Sequence, residues 1–298
     1  MASENEKLTG NYVSDDNNYT NTYDVYRRGL LQQQKVWVNE QVVPLLVERH
    51  GGPDAEITVL SVGSGEGDID IILLNVLIEE FEKKGIDNYS LQYTVVERNP
   101  VFVERFRKTV EQKGDVFAKI KFTFMVSTLE ECARTIFGKK FDFIHIIHTL
   151  YYMDAEKLMR LCVDKHLNKR GILLAVVQSE ESLYAKNWRL FSQKFKHSVG
   201  DFNLLCEKEM KEIAEKIGLK FSILKGKRVI DVTDIASGDV PNAAGYKLLD
   251  FFFHSKNLRE ILQGDELREI VEFFKANTSV VDGRNIALAD ETLLFLYN

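Results

Sequence analysis

The stretch Val62-Gly63-Ser64-Gly65-Glu66-Gly67-Asp68 is the densest run of residues suited to chemistry in this chain. Glycines at alternate positions let a backbone bend sharply and approach a ligand with no Cβ in the way. The turn follows the apolar run Ile57-Thr58-Val59-Leu60-Ser61-Val62 and precedes a helical pattern. Glu97, with Arg98 beside it, ends the next apolar run. A strand, a glycine turn, a helix and a carboxylate at the following strand tip make a nucleotide seat. A dinucleotide fingerprint places its glycines first, third and sixth. Here they stand first, third and fifth, with Ile69 in the hydrophobic slot beyond. That spacing suits S-adenosyl-L-methionine, which has no pyrophosphate to rest on the helix N-terminus. Glu97 would accept hydrogen bonds from both ribose hydroxyls, and Gly63, Ser64, Gly65 and Arg98 would complete the cofactor contact.

Further candidates sit where other strands end. Ser127-Thr128 follows the third strand, where a hydroxyl can reach an adenine; Thr128 can equally cap the helix Leu129 to Ile136 with Glu131 completing a capping box. Ile147 and His148 close the fourth strand, at the carboxyl edge where open sheets place ligands. His145 and His148 are an odd number of positions apart, so they face opposite ways. His148 is the pocket candidate and His145 the structural one. The aromatic residues Tyr184, Trp188, Phe191 and Phe195 recur every third or fourth residue, as one face of a helix does, which serves either a core or a ligand wall. A box of Tyr26, Tyr151, Tyr152, Trp188, Phe195 and Phe251 would suit a flat or cationic acceptor.

The elements that must position these residues alternate. Runs at Ile57–Val62, Tyr93–Glu97, Ile120–Val126, Phe141–His148 and Gly171–Val177 read as strands, separated by helical patterns such as Ile69–Lys84 and Pro100–Gln112. Alternation implies parallel pairing, and the continuous apolar run Ile172–Val177 is what a strand buried on both faces requires. The fold class is α/β: a Rossmann-like sheet with helices on both faces and a smaller substrate-binding cap. We expect a loose segment over 1–22 and one domain over 23–298, with cap elements at about 180–217 and 234–280. Within these, Asp234–Asn242 reads as a loop, Leu258–Ala276 as helical, and Leu293–Tyr297 as the closing strand.

The chain has 298 residues, a formal charge of -6 and 45% hydrophobic residues, enough for a sizeable core. An acidic surface repels phosphate, and the basic runs Arg105-Phe106-Arg107-Lys108, Lys139-Lys140 and Lys225-Gly226-Lys227-Arg228 are short and scattered. They read as solvated faces or turns, so no nucleic-acid partner is expected. Three widely spaced cysteines suggest neither a disulfide framework nor a metal cluster, and no apolar run approaches a membrane span. These features point to a cytoplasmic protein.

At Val62–Asp68, and at Phe141-Asp142-Phe143-Ile144-His145 followed by Leu150-Tyr151-Tyr152, the sequence resembles the histamine N-methyltransferase family. The resemblance runs from Tyr26-Arg27-Arg28 nearly to the final strand. It implies a seven-stranded methyltransferase sheet, a monomeric cytosolic enzyme, and methylation of an imidazole nitrogen. By position, Gly63 and Glu97 would bind the cofactor, with Thr128 (or Ser127) and Ile147 flanking its adenine. Tyr151, Tyr152, Trp188, Phe195 and Phe251 would wall the acceptor site, and Tyr184 replaces another aromatic residue. The family holds its amine acceptor with a glutamate, a glutamine and an asparagine. Here those positions fall among Leu31, Gln32 and Gln33, at His148, and at Glu291. No catalytic residue is assigned; His148 and Glu291 are positioning candidates. The reading is N-methylation of a small imidazole or amine. Methylation of an oxygen or carboxylate, and cofactor binding without turnover, stand as alternatives.

Overall fold

The computed structural model describes residues 16–27, 30–132, 135–136, 138–192 and 202–298. The chain divides into two units. The larger comprises 31–177, 207–226 and 292–298, and the smaller 1–30, 178–206 and 227–291.

The larger unit carries the sheet. Its strands are β1 (Ala55–Val62), β2 (Tyr89–Glu97), β3 (Ile120–Val126), β4 (Phe141–Ile147), β5 (Leu167–Gln178), β6 (Lys220–Gly226) and β10 (Glu291–Tyr297). Their order is β3-β2-β1-β4-β5-β10-β6, with β1 parallel to β2 and β4, and β3 and β5 parallel to their inner neighbours. The Ser179 N–H donates to the Asp290 carbonyl and the Asn298 N–H to that of Gly171, so β10 runs against β5. The chain works outward from β1 to β3 and then crosses back to β4. The topological switch point therefore lies between the tips of β1 and β4, where such sheets bind ligands.

Helix α4 (Asp68–Lys83) connects β1 to β2 and buries Leu73, Leu74, Leu77 and Phe81 as a stripe of helical period. Asn99 accepts from the Val101 N–H and caps α5 (Pro100–Lys113), whose first-turn proline has no N–H to leave unpaired. Upstream, α2 (Leu30–Trp37) passes through a π-helical turn, Val38–Val42, into α3 (Val43–His50). Pro44 lies in the first turn of α3, where proline is tolerated. Trp37, Phe81, Tyr93, Phe106, Phe143 and Phe295 anchor the core of this unit.

Three expectations are corrected here. The segment expected to be loose over 1–22 carries a helix, α1 (Asp16–Arg27); residues 1–15 lie outside the described residues. Helix α9 (Glu207–Ile217), expected in the cap, belongs to the sheet unit. Arg160 on α7 (Ala155–Leu161) donates to the Lys216 carbonyl at 2.7 Å and Glu156 pairs with Lys216 at 3.2 Å, which ties the two helices together. Arg228, expected on a solvated turn, is buried.

The smaller unit has a three-stranded antiparallel sheet, β7 (Val229–Asp231), β9 (Arg284–Leu288) and β8 (Ser279–Val281) in that order. Its helices include α8 (Leu183–Phe191), α10 (Thr233–Ala236), α11 (Ala243–Phe252), α12 (Leu258–Ile261) and α13 (Gly264–Ala276). The loop expected at Asp234–Asn242 is thus partly the short α10. The helical stretch expected from Leu258 to Ala276 breaks in two, with Gly264 turning at φ +59. Ser182 accepts from the Ala185 N–H and starts α8 one residue before the aromatic face begins. No helix among the described residues is long and apolar enough to cross a membrane.

Candidate active site

In the glycine turn, Gly63, Gly65 and Gly67 all take positive φ, at +68, +56 and +81. A Cβ on Gly63 would fall 2.3 Å from Thr149 Cγ2, and one on Gly67 would fall 2.4 Å from the Phe106 ring. Those two glycines are required by the protein's own packing. Gly65 differs: a Cβ there would meet nothing within 4 Å. Its backbone is the bare surface that a ligand can approach.

Glu97 ends β2 and bends over this turn. One carboxylate oxygen accepts from the Gly65 N–H at 3.0 Å and the other from the Asn99 N–H at 2.9 Å. Glu97 is 8% exposed, and its two carboxylate oxygens retain lone pairs for further donors. Arg98 is exposed; its charge acts on the Tyr152 phenol, whose pKa burial nevertheless raises. On the other side of the turn, the Thr149 hydroxyl lies 3.1 Å from the carbonyl oxygens of both Gly63 and Ile147. The structure therefore brings Gly63, Ser64, Gly65, Glu97 and Ile147 to one edge of the sheet. It also adds Thr149, whose role as a lock on Gly63 the sequence did not reveal.

At the tip of β3, the capping reading of Thr128 holds. Its N–H donates to Glu131 Oε2 at 2.9 Å and its hydroxyl accepts from the Glu131 N–H at 3.2 Å, starting α6 (Leu129–Cys132). Ser127 Oγ donates to the Thr128 carbonyl at 3.0 Å. Both hydroxyls have local partners, and both residues stay partly exposed at the strand tip.

His145 and His148 part ways as their spacing requires. His145 is 2% exposed and faces the interior. His148 is partly exposed and takes φ +54, a left-handed conformation uncommon outside glycine and concentrated at functional sites. Its Nδ1 lies 3.2 Å from Tyr151 Oη, and the two rings stack at 6.1 Å. Tyr151 meets Tyr152 edge-on at 6.4 Å.

Within the smaller unit, Tyr26 stacks on Phe251 at 4.2 Å and meets Tyr184 edge-on at 6.5 Å. Tyr184 lies parallel to Trp188 at 6.5 Å, and its hydroxyl is 2.6 Å from His254 Nε2. Burial holds His254 down at about 3, so it is a neutral ring. Phe202 joins this cluster, 4.4 Å from Trp188. Neither Phe202 nor His254 was singled out by sequence. Phe195 lies outside the described residues.

Glu291 is fully buried. Its Oε1 is 3.0 Å from Arg228 Nη2. Arg228 also donates from Nε to the Ala289 carbonyl, and its N–H donates to Asp290 Oδ1. Gln178 donates to the Tyr26 hydroxyl at 3.3 Å.

Asp250, next to Phe251, accepts from the Leu258 N–H at 2.9 Å and holds the turn containing His254 (φ +48) and Asn257 (φ +59). Burial pushes its carboxyl up to about 6, against the lowering effect of the Leu258 and Asn257 N–H groups. A carboxyl with a raised folded pKa binds its proton more tightly folded than unfolded. Its contribution to stability is full below the unfolded carboxyl range and is lost as pH rises through about 6. Compared with Asp250→Asn, the native protein should lose up to about 3 kcal/mol between roughly pH 4 and pH 8. Urea melts of both proteins across that range check this, and a difference that stays flat with pH would contradict it.

A methyltransferase-domain family matches residues 36–222, well over half of the chain. The chain belongs to this family. Carnosine N-methyltransferase 2 from Gallus gallus is 27% identical over 231 residues, covering 74% of this chain and 66% of the relative. Histamine N-methyltransferase from Cavia porcellus is 24% identical over 287 residues, covering 92% and 94%. The enzyme of that name from Danio rerio is 28% identical over 255 residues, covering 82% of each. Among solved structures, a loganic acid methyltransferase aligns with a TM-score of 0.57 at 9% identity over 92% of this chain and 94% of its own. The YcgJ protein of Bacillus subtilis gives 0.53 at 14% identity over 87% and 98%. The expected Rossmann-like fold of an S-adenosylmethionine-dependent methyltransferase is thereby established. The edge described above fits that cofactor: Gly65 is bare, and Glu97 is aimed across it with lone pairs to offer.

Proposed function

We propose that this methyltransferase transfers its methyl group to a ring nitrogen of a small imidazole acceptor. The cofactor, when bound, supplies a methyl on a sulfonium; the protein's task is to hold a nucleophile in line with it, and positioning alone is worth about 7–11 kcal/mol. A neutral imidazole presents a lone pair near neutral pH without a base, which agrees with a site where no catalytic base is assigned. Gly63, Ser64, Gly65, Glu97, Arg98, Ser127, Thr128 and Ile147 are the residues we assign to the cofactor.

The observation that carries the acceptor class is the set of aromatic rings. In the larger unit, Tyr151 and Tyr152 follow β4 directly, with His148 turned by its left-handed backbone toward Tyr151. In the smaller unit, Tyr26, Tyr184, Trp188 and Phe251 form a continuous cluster, and we assign these, with Phe195, to acceptor binding. Flat rings suit a flat acceptor. Glu291, whose charge is neutralised by Arg228, offers an ammonium group little net attraction. The ring of the acceptor, more than its amine, is therefore what the protein selects. Relatives named for histamine and carnosine, both imidazole compounds, support the same class.

A transfer screen with radiolabelled methyl donor tests the proposal. It should cover histamine, carnosine, simple alkylimidazoles, aliphatic amines, phenols and carboxylic acids. Label is expected on imidazoles with or without a side-chain amine. Label confined to oxygen acceptors would overturn the proposal, as would cofactor binding with no turnover on any acceptor.

A further inference from the structure

The aromatic cluster of the smaller unit has a polar pair at its centre. Tyr184 Oη lies 2.6 Å from His254 Nε2. Around the histidine ring stand Phe202 at 4.6 Å, Trp188 at 5.5 Å and Phe251 at 6.2 Å. Tyr184 and His254 are 5% and 2% exposed.

The backbone holds the histidine in this place. His254 takes φ +48 in the turn that follows α11. Asp250 closes that turn twice: its carbonyl accepts from the Ser255 N–H at 3.0 Å and its carboxylate from the Leu258 N–H at 2.9 Å. The Phe251 carbonyl accepts from the His254 N–H at 3.2 Å. A side-chain-bearing residue stays left-handed only where its surroundings fix it.

A neutral imidazole has one N–H and one lone pair. Burial holds His254 down at about 3, so its ring is neutral. At 2.6 Å the contact is shorter than N–H···O bonds run and matches an O–H donor. The shared proton is therefore the tyrosine's, given to Nε2, and His254 carries its own on Nδ1. With its one proton committed, the Tyr184 oxygen can act toward a ligand only as an acceptor. Its neighbours are different. The Trp188 ring only donates, Phe251 does neither, and the Tyr26 hydroxyl accepts from Gln178 while keeping a proton of its own to place.

A neutral imidazole that offers the lone pair of one nitrogen carries its N–H on the other, across the ring. Buried among apolar rings, that N–H needs an acceptor.

We propose that Tyr184 Oη accepts the ring N–H of the acceptor, that His254 and Asp250 are positioning residues that keep it an acceptor, and that the protein therefore selects imidazoles bearing an N–H. This rests on the imidazole reading proposed above. Holding the N–H fixes the tautomer, so the opposite nitrogen forms the new N–C bond as the C–S bond breaks and its electron pair stays on sulfur. The ring proton then goes to solvent, and the methylated product, having no N–H, loses its hold on Tyr184.

The transfer assay on the whole protein tests this with imidazole and 1-methylimidazole, rings of similar basicity of which only the first has an N–H. The native protein should prefer imidazole by about tenfold or more in kcat/KM. Tyr184→Phe should cut that preference to within about threefold, chiefly by raising KM for imidazole. His254→Phe releases the Tyr184 proton and should lower the preference by about threefold or more. His254→Gln, whose amide oxygen can take that proton, should restore it. Adenosylhomocysteine affinity, read by calorimetry, should stay within about twofold throughout. A native protein that methylates both rings equally overturns this proposal and leaves the imidazole reading standing; one that methylates neither overturns both. A preference untouched in Tyr184→Phe, or lost equally in His254→Gln and His254→Phe, also overturns it. If Tyr184→Phe does not fold, the native ratio and the two His254 variants still decide.

Discussion

Replacing Glu97 with alanine is expected to weaken adenosylhomocysteine binding by about a hundredfold or more. Two charge-assisted bonds to ribose hydroxyls, each worth about 1.5–3 kcal/mol, would be lost together. The Gly65 N–H would also lose its acceptor, and the turn its fixed bend. Glutamine is no rescue. Its amide must turn an NH2 group toward one of two N–H donors, Gly65 or Asn99, where the native carboxylate accepts from both. Methylthioadenosine should suffer as much as adenosylhomocysteine, because the ribose is common to both. Calorimetry with the purified variant decides the matter. Affinity within about threefold of the native value would show that the carboxylate serves the turn and not the ligand.

Much of this edge could be read in the sequence because its signals are local. The bend, the apolar run before it and the acid after it lie within single elements, and each element has its own period. The Thr128 capping box spans four residues and was equally readable. What escaped were pairings made only by the fold. Asp70, Tyr93 and His145 come from three different elements, and nothing local announces that their side chains meet. One trace was present: Asp70 sits on the same helical stripe as Leu73, Leu74 and Phe81, where an acid has no business unless partnered. Arg228 misled in the opposite way. Its run Lys225-Gly226-Lys227-Arg228 has the composition of a solvated turn, yet its partner Glu291 lies far along the chain and draws it inside. The cap boundary failed for a similar reason. Helix α9 has a strong apolar face, but the sequence does not say which surface receives it.

That buried pair carries the second large effect. Arg228 and Glu291 have side chains 2% and 0% exposed, with 3.0 Å between Nη2 and Oε1. Removing one partner from such a pair leaves the other charge buried and uncompensated, at about 3–5 kcal/mol. Arg228→Met and Glu291→Leu should each destabilise by roughly that amount. The double variant removes both charges at once and puts apolar side chains of similar length in their place. It is expected to melt within about 2 kcal/mol of the native protein, a coupling of several kcal/mol. Urea denaturation of the four proteins measures this cycle. Additive single effects would show that the two groups do not depend on each other. The same cycle bears on the acceptor. A carboxylate so strongly committed to a guanidinium cannot also anchor an ammonium without weakening that pair. The coupled result therefore predicts that alkylimidazoles without an amine are methylated about as well as histamine, whereas additive singles would free Glu291 to favour the amine.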